Sequence, residues 1–328
     1  LSFSFYENGE EVLQDYGLSR FVNVAQKNGG GYLKENTTYA KQTIAHNTVV
    51  QNETSHFNFD YALGSKNHSE KYLFDVSNPN FQIVSAKDKN AYPGTQLHRT
   101  MVLIKDKDLK KPFVLDIHKI QSNQKNQYDL PFHYFGQIIS TSFDYEIPKT
   151  LKALGNKYGY NHIWKEASGK ANSENIQFTW LHHQKFYTIT SVTDNNDEII
   201  LARIGANDPK YNLRTDPSLI IRKKNTQNTT YASIIESHGS YNPVTEKASK
   251  AYSNFSKIEV LKDNVAYTFI KISFKKGKEK LLILSNLDST KTAKHTTSLN
   301  NKTYNYLWIF VIEYKLDLNL VCQVPGQT

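Results

Sequence analysis

Short stretches in which apolar and polar residues alternate recur along the chain, and a period of two predicts β-strands. Leu1–Tyr6 alternates in this way, and the Asn8-Gly9 pair that follows is a strong signal for a two-residue hairpin turn. Glu11–Tyr16 is predicted as the returning strand of this hairpin. Gln42–Gln51 is rich in β-branched residues and is predicted as a further strand.

The rest of the chain continues the sequence of strand, turn and strand. The predicted strands are Tyr72–Val76, Phe81–Ala86, His98–Lys105, Phe113–Gln121, Phe132–Phe143, Ile176–Leu181, Lys185–Thr193, Glu198–Ile204, Leu219–Lys224, Thr229–His238, Ser256–Leu261, Val265–Phe274 and Lys280–Asn286. Helix signals are few, and the best of them is the short stretch Ile147–Leu154. So many short strands at this spacing predict an all-β fold, a large antiparallel β-sandwich.

The chain contains no internal repeat and no low-complexity linker, so we treat residues 1–306 as one domain. Residues 307–328 differ in character and carry the single cysteine, Cys322; we expect either an added strand or a tail foreign to the domain. The chain starts at Leu1 with no signal-like segment. We therefore expect its start to be a cut through a longer protein, with any targeting signal further upstream.

Length and composition exclude some classes of protein. The chain has 328 residues and 37.7 kDa, which is enough to bury a substantial core. Its longest apolar run, Leu307–Ile312, is far shorter than the roughly 18 residues of a membrane span, so no span is expected. A single cysteine excludes an internal disulfide.

The net charge of +9 favours polyanionic partners, which include nucleic acid, anionic lipid and acidic polysaccharide. Lys/Arg runs such as Arg222–Lys224 are short and are typical of solvated hairpin tips. The sequence contains no recognised nucleic-acid module, so nucleic acid is the least favoured partner. It also lacks a phosphate-cradling glycine loop and a GxSxG elbow.

Candidate chemistry is concentrated near the N-terminus. Asp15, Arg20, Tyr32 and His46 offer a carboxylate, a guanidinium, a phenol and an imidazole, and three glycines, Gly29–Gly31, precede the tyrosine. Such a glycine loop can carry a phenol into a cleft. From the residues alone, however, structural roles are favoured: a turn aspartate, a surface ion pair, a loop tyrosine and a hydrogen-bonded histidine.

The other histidines carry no metal-site pattern. His56, His118, His133 and the adjacent pair His182-His183 lack the spacing of a HExxH or CxxC motif, and we prefer a structural reading for all of them. The acidic stretch Asp194–Asp197 lacks the EF-hand loop pattern and is predicted to be a turn.

The segments Asn8–Gly17 and Ala45–Val50 resemble the heparinase II/III-like lyases, and most closely the oligoalginate lyases of polysaccharide lyase family 17. The resemblance extends over roughly residues 1–290 and includes six later segments: Thr54–Phe57, Val84–Asp88, Ala91–Gly94, Leu97–Thr100, Tyr128–Gln137 and Gly159–Trp164. Members of the family have an N-terminal (α/α) toroid followed by a β-sandwich, with the active site between them. This chain resembles the sandwich alone.

The resemblance implies a polyuronate lyase that cleaves oligoalginate by β-elimination to an unsaturated uronate. It makes Tyr32 the catalytic acid or base and Arg20 a contact to the substrate carboxylate. It makes Asp15 and His46 zinc ligands, with a third ligand expected from a His-Gly-His-Phe-Asp segment upstream of Leu1. Because that segment and the toroid are outside this chain, we expect the chain by itself to be inactive. The family also implies a periplasmic or cell-envelope location and leaves a homodimer open.

Two alternatives remain. A non-catalytic module that binds acidic polysaccharide would suit the charge and the 21 tyrosines. A heparinase-type lyase acting on sulfated glycans would call for a denser Arg/Lys cleft than the sequence displays. Zinc content, and turnover once the missing part is restored, would distinguish these alternatives.

Overall fold

The computed structural model describes residues 1–17, 32–290, 292–307, 310–315 and 321–323, and most of its regular structure is β. In chain order the strands are β1 (Phe5–Glu7), β2 (Glu10–Leu13), β3 (Val50–Gln51), β4 (Glu70–Asn78), β5 (Phe81–Tyr92), β6 (Thr95–Ile104), β7 (Phe113–Ser122), β8 (Asn126–His133), β9 (Gln137–Thr141), β10 (Ile163–Lys170), β11 (Asn175–His182), β12 (Lys185–Val192), β13 (Glu198–Ile204), β14 (Pro217–Thr226), β15 (Thr229–Asn242), β16 (Lys247–Ser249), β17 (Phe255–Asp263), β18 (Tyr267–Phe274), β19 (Glu279–Ser285), β20 (Lys294–Leu299), β21 (Lys302–Leu307), β22 (Phe310–Lys315) and β23 (Val321–Gln323).

Among the residues that the structure describes, helical structure is limited to short turns. One α-helical turn, α1 (Tyr61–Gly64), is capped at its N-terminus by Asp60, whose carboxylate accepts a hydrogen bond from the Leu63 amide at 2.9 Å. The remaining turns are π-helical at Asn36–Ala40 and 3₁₀-helical at Thr43–Ala45, His56–Phe59 and Tyr160–His162. Within the ranges given above, no helix has the length and apolar character needed to cross a membrane.

The strands form three large antiparallel sheets and two separate hairpins. The central sheet has nine strands in the order β4-β5-β6-β7-β15-β12-β11-β9, with β16 paired to β15. One five-stranded sheet has the order β10-β13-β14-β8-β3 and the other the order β17-β18-β19-β22-β23. The hairpins are β1-β2 and β20-β21. This arrangement confirms the predicted all-β, antiparallel sandwich.

The central sheet is covered on both faces, so the fold has three layers. Along β15, Tyr231 and Ile235 point into one core and Ala232 and Ile234 into the other, as the alternation of strand side chains requires. The first core contains side chains of the β10–β3 sheet, including Leu130, Phe132, Leu201, Leu219 and Ile221. The second contains side chains of the β17–β23 sheet, including Phe255, Ile258, Ile270, Ile272 and Leu282.

The segment before β3 covers the outer face of the β10–β3 sheet, where Ile44 and Val50 share a core with Ile200 and Ile220. The prediction of one strand over Gln42–Gln51 was wrong, since only Val50–Gln51 is a strand and Thr43–Ala45 is a 3₁₀ turn. A side chain replaces the hydrogen-bond partner that a neighbouring strand would supply, because the Thr43 amide donates to Ser55 Oγ at 3.0 Å.

The predicted helix Ile147–Leu154 was also wrong. This segment has no regular structure and runs beside β10, where the Leu154 amide donates to the Ile163 carbonyl at 2.7 Å. Pro148 disfavours the helical conformation at Ile147, and the rest of the segment uses its backbone to pair with β10.

The N-terminal hairpin was predicted correctly, but both of its strands are shorter than predicted, at Phe5–Glu7 and Glu10–Leu13. The turn residues Asn8 and Gly9 have φ values of 53° and 83°, as a two-residue turn of this kind requires. At the other end of the chain, β22 pairs with β19 and β23 pairs with β22. The proposed division into a 1–306 domain and a 307–328 tail stays a prediction.

Candidate active site

Asp15 lies just beyond the end of β2, in a chain segment held by β8. The Gln14 amide donates to the His133 carbonyl at 2.9 Å, which continues the pairing one residue before Asp15. Gly17, with φ 63°, turns the chain so that its amide donates to Asp15 Oδ1 at 3.2 Å. Ser2 Oγ donates to the other carboxylate oxygen at 2.9 Å. The carboxylate is thereby fixed from both sides.

His46 follows the 3₁₀ turn Thr43–Ala45, and its imidazole meets the carboxylate of Asp15. The distance between His46 Nδ1 and Asp15 Oδ1 is 2.6 Å, and both side chains are partly exposed. Two residues that are 31 positions apart in the sequence are therefore in direct contact. The sequence predicted that they belong to one site, and the structure brings them together.

Asn47, the residue after His46, connects the backbone segments around Asp15 and His46. Its side chain is fully buried, and its Nδ2 donates to the carbonyls of Phe3 and Gln14 at 2.9 and 2.7 Å. Its Oδ1 accepts from the His133 amide at 2.8 Å. Because three backbone segments meet at this one amide, Asn47 fixes the separation of the segments that carry Asp15 and His46.

A buried ion pair lies next to Asn47, and sequence reasoning missed it. Arg99 Nε and Nη2 donate to the two carboxylate oxygens of Asp116 at 2.8 and 2.6 Å. Arg99 Nη1 also donates to the carbonyls of Leu1 and Asn47. The available signal was a pair of opposite charges inside two consecutive predicted strands, which pair in register as β6 and β7.

A second arginine ties the Asp15 segment to the loop before β14. Arg214 Nη2 donates to Gln14 Oε1 at 2.7 Å, and Gln14 Nε2 donates to Asp216 Oδ2 at 2.8 Å. The Arg214 guanidinium also lies 4.3 Å from the centre of the Tyr16 ring. Nothing in the sequence pointed to this contact, because Gln14 and Arg214 lie 200 positions apart.

Hydrogen bonds keep the Asp15 carboxylate charged. Burial by itself raises the pKa of Asp15, but hydrogen bonds from His46, Ser2 and the Gly17 amide outweigh it and lower the pKa below its ordinary value. At neutral pH the pair therefore presents an anionic oxygen beside an imidazole.

Tyr32 is the first residue that the structure describes after residue 17, and it is 60% exposed. The segment that follows is anchored to the body of the protein: Tyr39 is fully buried and meets the Tyr16 ring edge-on at 5.1 Å, and Thr38 Oγ1 lies 2.8 Å from His162 Nε2. Arg20, the predicted contact to a substrate carboxylate, lies outside the described residues.

The chemistry of the two donors fits a zinc ion. Carboxylate oxygen and imidazole nitrogen are ordinary zinc ligands, and two ligand atoms of a tetrahedral site lie roughly 3.3 Å apart. The 2.6 Å contact between Asp15 and His46 requires only a small adjustment to reach that separation. Two donors do not complete a zinc site, so a further ligand has to come from elsewhere.

Solved structures define the class of domain to which this fold belongs. Heparan sulfate lyase HepC from Pedobacter heparinus superimposes with a TM-score of 0.53 at 12% identity, over 87% of this chain and 36% of that one. A heparinase III gives a TM-score of 0.54 at 13% identity, over 87% of this chain and 36% of that one. At such identities the match establishes the fold, which is the layered β-sandwich found in these lyases.

Sequence comparison gives the family. The family model described as heparinase II/III-like, C-terminal matches residues 1–256, and the chain belongs to that family. It is 37% identical over 289 residues to an exo-oligoalginate lyase of Saccharophagus degradans, covering 87% of this chain and 39% of the relative. It is 36% identical over 307 residues to an alginate lyase of Stenotrophomonas maltophilia, covering 93% and 41%. The chain thus spans about two fifths of the length of these relatives.

Proposed function

We propose that this chain is the β-sandwich part of an alginate lyase, which cleaves oligoalginate by β-elimination. The observation that carries the proposal is the 37% identity to an exo-oligoalginate lyase over 289 residues. The heparan sulfate lyase and heparinase III matches, at 12% and 13% identity, support the fold and do not choose the substrate.

The reaction defines what the site must supply. A base removes the C5 proton of the uronate, a C4–C5 double bond forms, the bond from C4 to the glycosidic oxygen breaks, and an acid protonates that oxygen. The C5 proton is weakly acidic, so positive charge or hydrogen-bond donors at the carboxylate must stabilise the anion that forms when it leaves. In this proposal Tyr32 is the acid or the base, and Arg20 pairs with the uronate carboxylate.

Asp15 and His46 hold zinc in this proposal, together with a histidine from a preceding segment. A bound zinc ion would fix the two chain segments below the reacting sugar by linking residues that are 31 positions apart. The elimination itself needs no bond to the metal. Asp15 and His46 are therefore positioning residues, and the exposed phenol of Tyr32 is the group that reaches the sugar.

An N-terminal toroid domain completes the active site in this proposal, because the chain spans only about 39% to 41% of its curated relatives. The chain alone is then inactive. We place the whole enzyme in the periplasm or at the cell envelope, where oligoalginate would be available.

The proposal is tested by restoring the missing part. The chain alone, and the chain fused behind the N-terminal domain of a relative, are incubated with oligoalginate while the ultraviolet absorbance of unsaturated uronate is followed. We expect product only from the fusion, and Tyr32→Phe should abolish it while leaving the fold intact by circular dichroism. Tyr61→Phe is the matched control, because Tyr61 is a surface tyrosine with 85% exposure.

A folded fusion that is inert on oligoalginate would contradict the substrate. Activity of the same fusion on heparan sulfate would then favour a heparinase-type lyase. Binding of oligoalginate without turnover would instead favour a carbohydrate-binding module, for which the net charge of +9 is the supporting observation.

The zinc assignment has its own test in the same fusion. We expect His46→Gln and Asp15→Asn each to weaken zinc binding by more than about tenfold. Even the substitution of a residue that only contacts a metal ligand typically lowers metal affinity by about that factor. Zinc is counted by elemental analysis after dialysis against a metal buffer. The assignment is wrong if both variants retain as much zinc as the parent protein.

A further inference from the structure

A second group of metal-binding side chains lies away from Asp15 and His46. Glu10, His182 and His183 each offer one ligand atom, and these atoms all lie within 4.8 Å of one another. Glu10 Oε2 lies 3.6 Å from His183 Nε2. Glu10 and Asp15 are five residues apart, so at most roughly 16 Å of backbone separates them, and the two groups share no residue.

A tight turn explains why two consecutive histidines meet. Neighbouring side chains of a strand point to opposite faces of the sheet. His182 and Lys185 are the last residue pair of the β11–β12 hairpin, and the two turn residues between them, His183 and Gln184, have φ values of 43° and 61°. This left-handed turn brings the two imidazoles together, with ring centres 4.2 Å apart and planes at 86°.

His182 is held in position from the other side. Phe135 stacks on its ring at 5.8 Å, with an angle of 27° between the planes. This stacking depends on Gly136, because a Cβ added there would lie 2.1 Å from the Leu181 carbonyl oxygen. The stacked ring and the close backbone approach restrict the position of the imidazole.

Glu10 supplies the third ligand from a different hairpin. It pairs with Glu7 across the β1–β2 turn, but Glu7 forms its ion pair with Lys111, so the two carboxylates have different partners. The side chains of Glu10 and His183 are 53% and 60% exposed. They are therefore able to rotate and reach the roughly 3.3 Å separation that tetrahedral ligand atoms adopt.

From this arrangement we infer that Glu10, His182 and His183 form a second site for a divalent transition-metal ion such as Zn²⁺, with water in the fourth position. Two imidazole nitrogens and one carboxylate oxygen suit zinc or copper, whereas calcium and magnesium prefer sets made only of oxygen. The ion links the β1–β2 hairpin to the end of β11. A two-stranded hairpin is marginally stable by itself, so this link stabilises the strand that leads to Asp15.

The test uses His183→Asn, which removes the ligand and preserves the turn. Asparagine tolerates the left-handed conformation better than histidine, so the metal-free variant should be at least as stable as the parent chain. The parent chain is expected to gain thermal stability on addition of Zn²⁺, and the variant is expected to lose that gain together with one bound zinc per chain. His68→Asn, at an exposed histidine elsewhere, is the control and should behave as the parent does.

A second variant and a second background separate the two metal sites. Glu10→Gln should weaken the same zinc without changing the turn, and Cu²⁺ bound to the parent chain should display coupling to two imidazole nitrogens in its electron paramagnetic resonance spectrum. In an Asp15→Asn background the zinc that depends on His183 should remain, so failure of one site does not imply failure of the other. Equal zinc binding and equal zinc-induced stabilisation in the parent chain and in His183→Asn would overturn the inference.

Discussion

Arg99→Met lowers the free energy of unfolding by about 3 to 5 kcal/mol, which is the usual effect of removing one partner of a buried ion pair. The side chains of Arg99 and Asp116 are 4% and 1% exposed, and two parallel hydrogen bonds join them. Without the guanidinium, the Asp116 carboxylate stays buried and loses the positive charge that offsets its desolvation. Methionine fills much of the vacated volume, so the loss reports the charge more than a cavity.

The same substitution removes hydrogen bonds to the candidate site. Arg99 donates to the backbone carbonyls of Leu1 and Asn47, and Asn47 in turn contacts the Gln14 carbonyl at 2.7 Å. We therefore expect the contact between Asp15 and His46 to loosen even at temperatures where Arg99→Met is folded. Urea unfolding measures the stability, and the chemical shifts of the His46 ring report the contact.

Arg203→Met is the matched control, because Arg203 pairs with Glu166 at the surface with side chains 42% and 35% exposed. We expect Arg203→Met to lower the free energy of unfolding by less than about 1 kcal/mol. The double variant Arg99→Met with Asp116→Leu should recover part of the loss, because it removes the unpaired charge. If Arg99→Met lowers the free energy of unfolding by no more than Arg203→Met does, the buried ion pair does not stabilise the fold beyond a surface pair.

The predictable part of the fold is the part that local pattern determines. The Asn8-Gly9 turn and the long strands near β5 to β7 and β11 to β15 follow from residue type and period alone. The third layer could not be predicted, because alternation along β15 indicates two buried faces without saying which sheet covers each. The prediction of a strand over Gln42–Gln51 was wrong because the side chain of Ser55, which lies outside that stretch and twelve residues after Thr43, accepts the hydrogen bond of the Thr43 amide.

The candidate site divides in the same way. Asp15 and His46 were identified through resemblance, and their 2.6 Å contact agrees with a common site. Arg99, Asp116 and Asn47 were missed because their importance comes from burial and from partners in other strands, which composition does not reveal. The His182-His183 pair was read as structural from its spacing, whereas the converging carboxylate of Glu10 becomes visible only in three dimensions.

The protein loses stability as the pH falls from about 6.5 towards 4, because several histidines are buried in the neutral form. Burial lowers the pKa of His98 to about 3 and that of His133 to about 4, from an ordinary value of 6.5. It lowers the pKa of His56 to about 4 and that of His118 in the same direction. These rings form few hydrogen bonds that would stabilise a charged imidazole. The His118 nitrogens and His133 Nδ1 have no hydrogen-bond partner in the part of the chain that the structure describes.

The sign follows from proton binding. Between the folded pKa and 6.5 the unfolded chain binds protons that the folded chain does not, so unfolding becomes more favourable as the pH falls. His56, His98 and His133 should each remove about 2 kcal/mol of stability between roughly pH 7 and pH 5. Burial raises the pKa of Asp197 and Glu236, which has the opposite effect: above the ordinary carboxyl pKa near 4 the folded chain keeps protons that the unfolded chain has lost, and this offsets part of the loss from the histidines.

Glutamine at positions 98 and 133 tests this directly. Both histidines use Nε2 for their hydrogen bonds, at 2.8 Å from Ser85 Oγ and from the Ile44 carbonyl, and a glutamine amide can replace that nitrogen without titrating. In urea unfolding at several pH values, His98→Gln and His133→Gln should each reduce the difference in stability between roughly pH 7 and pH 5 by about 2 kcal/mol. His68→Gln, at an exposed histidine, should leave the slope unchanged. An unchanged slope in both buried variants would show that acid destabilisation comes from other groups, since these two rings would then bind protons as readily in the folded chain as in the unfolded chain.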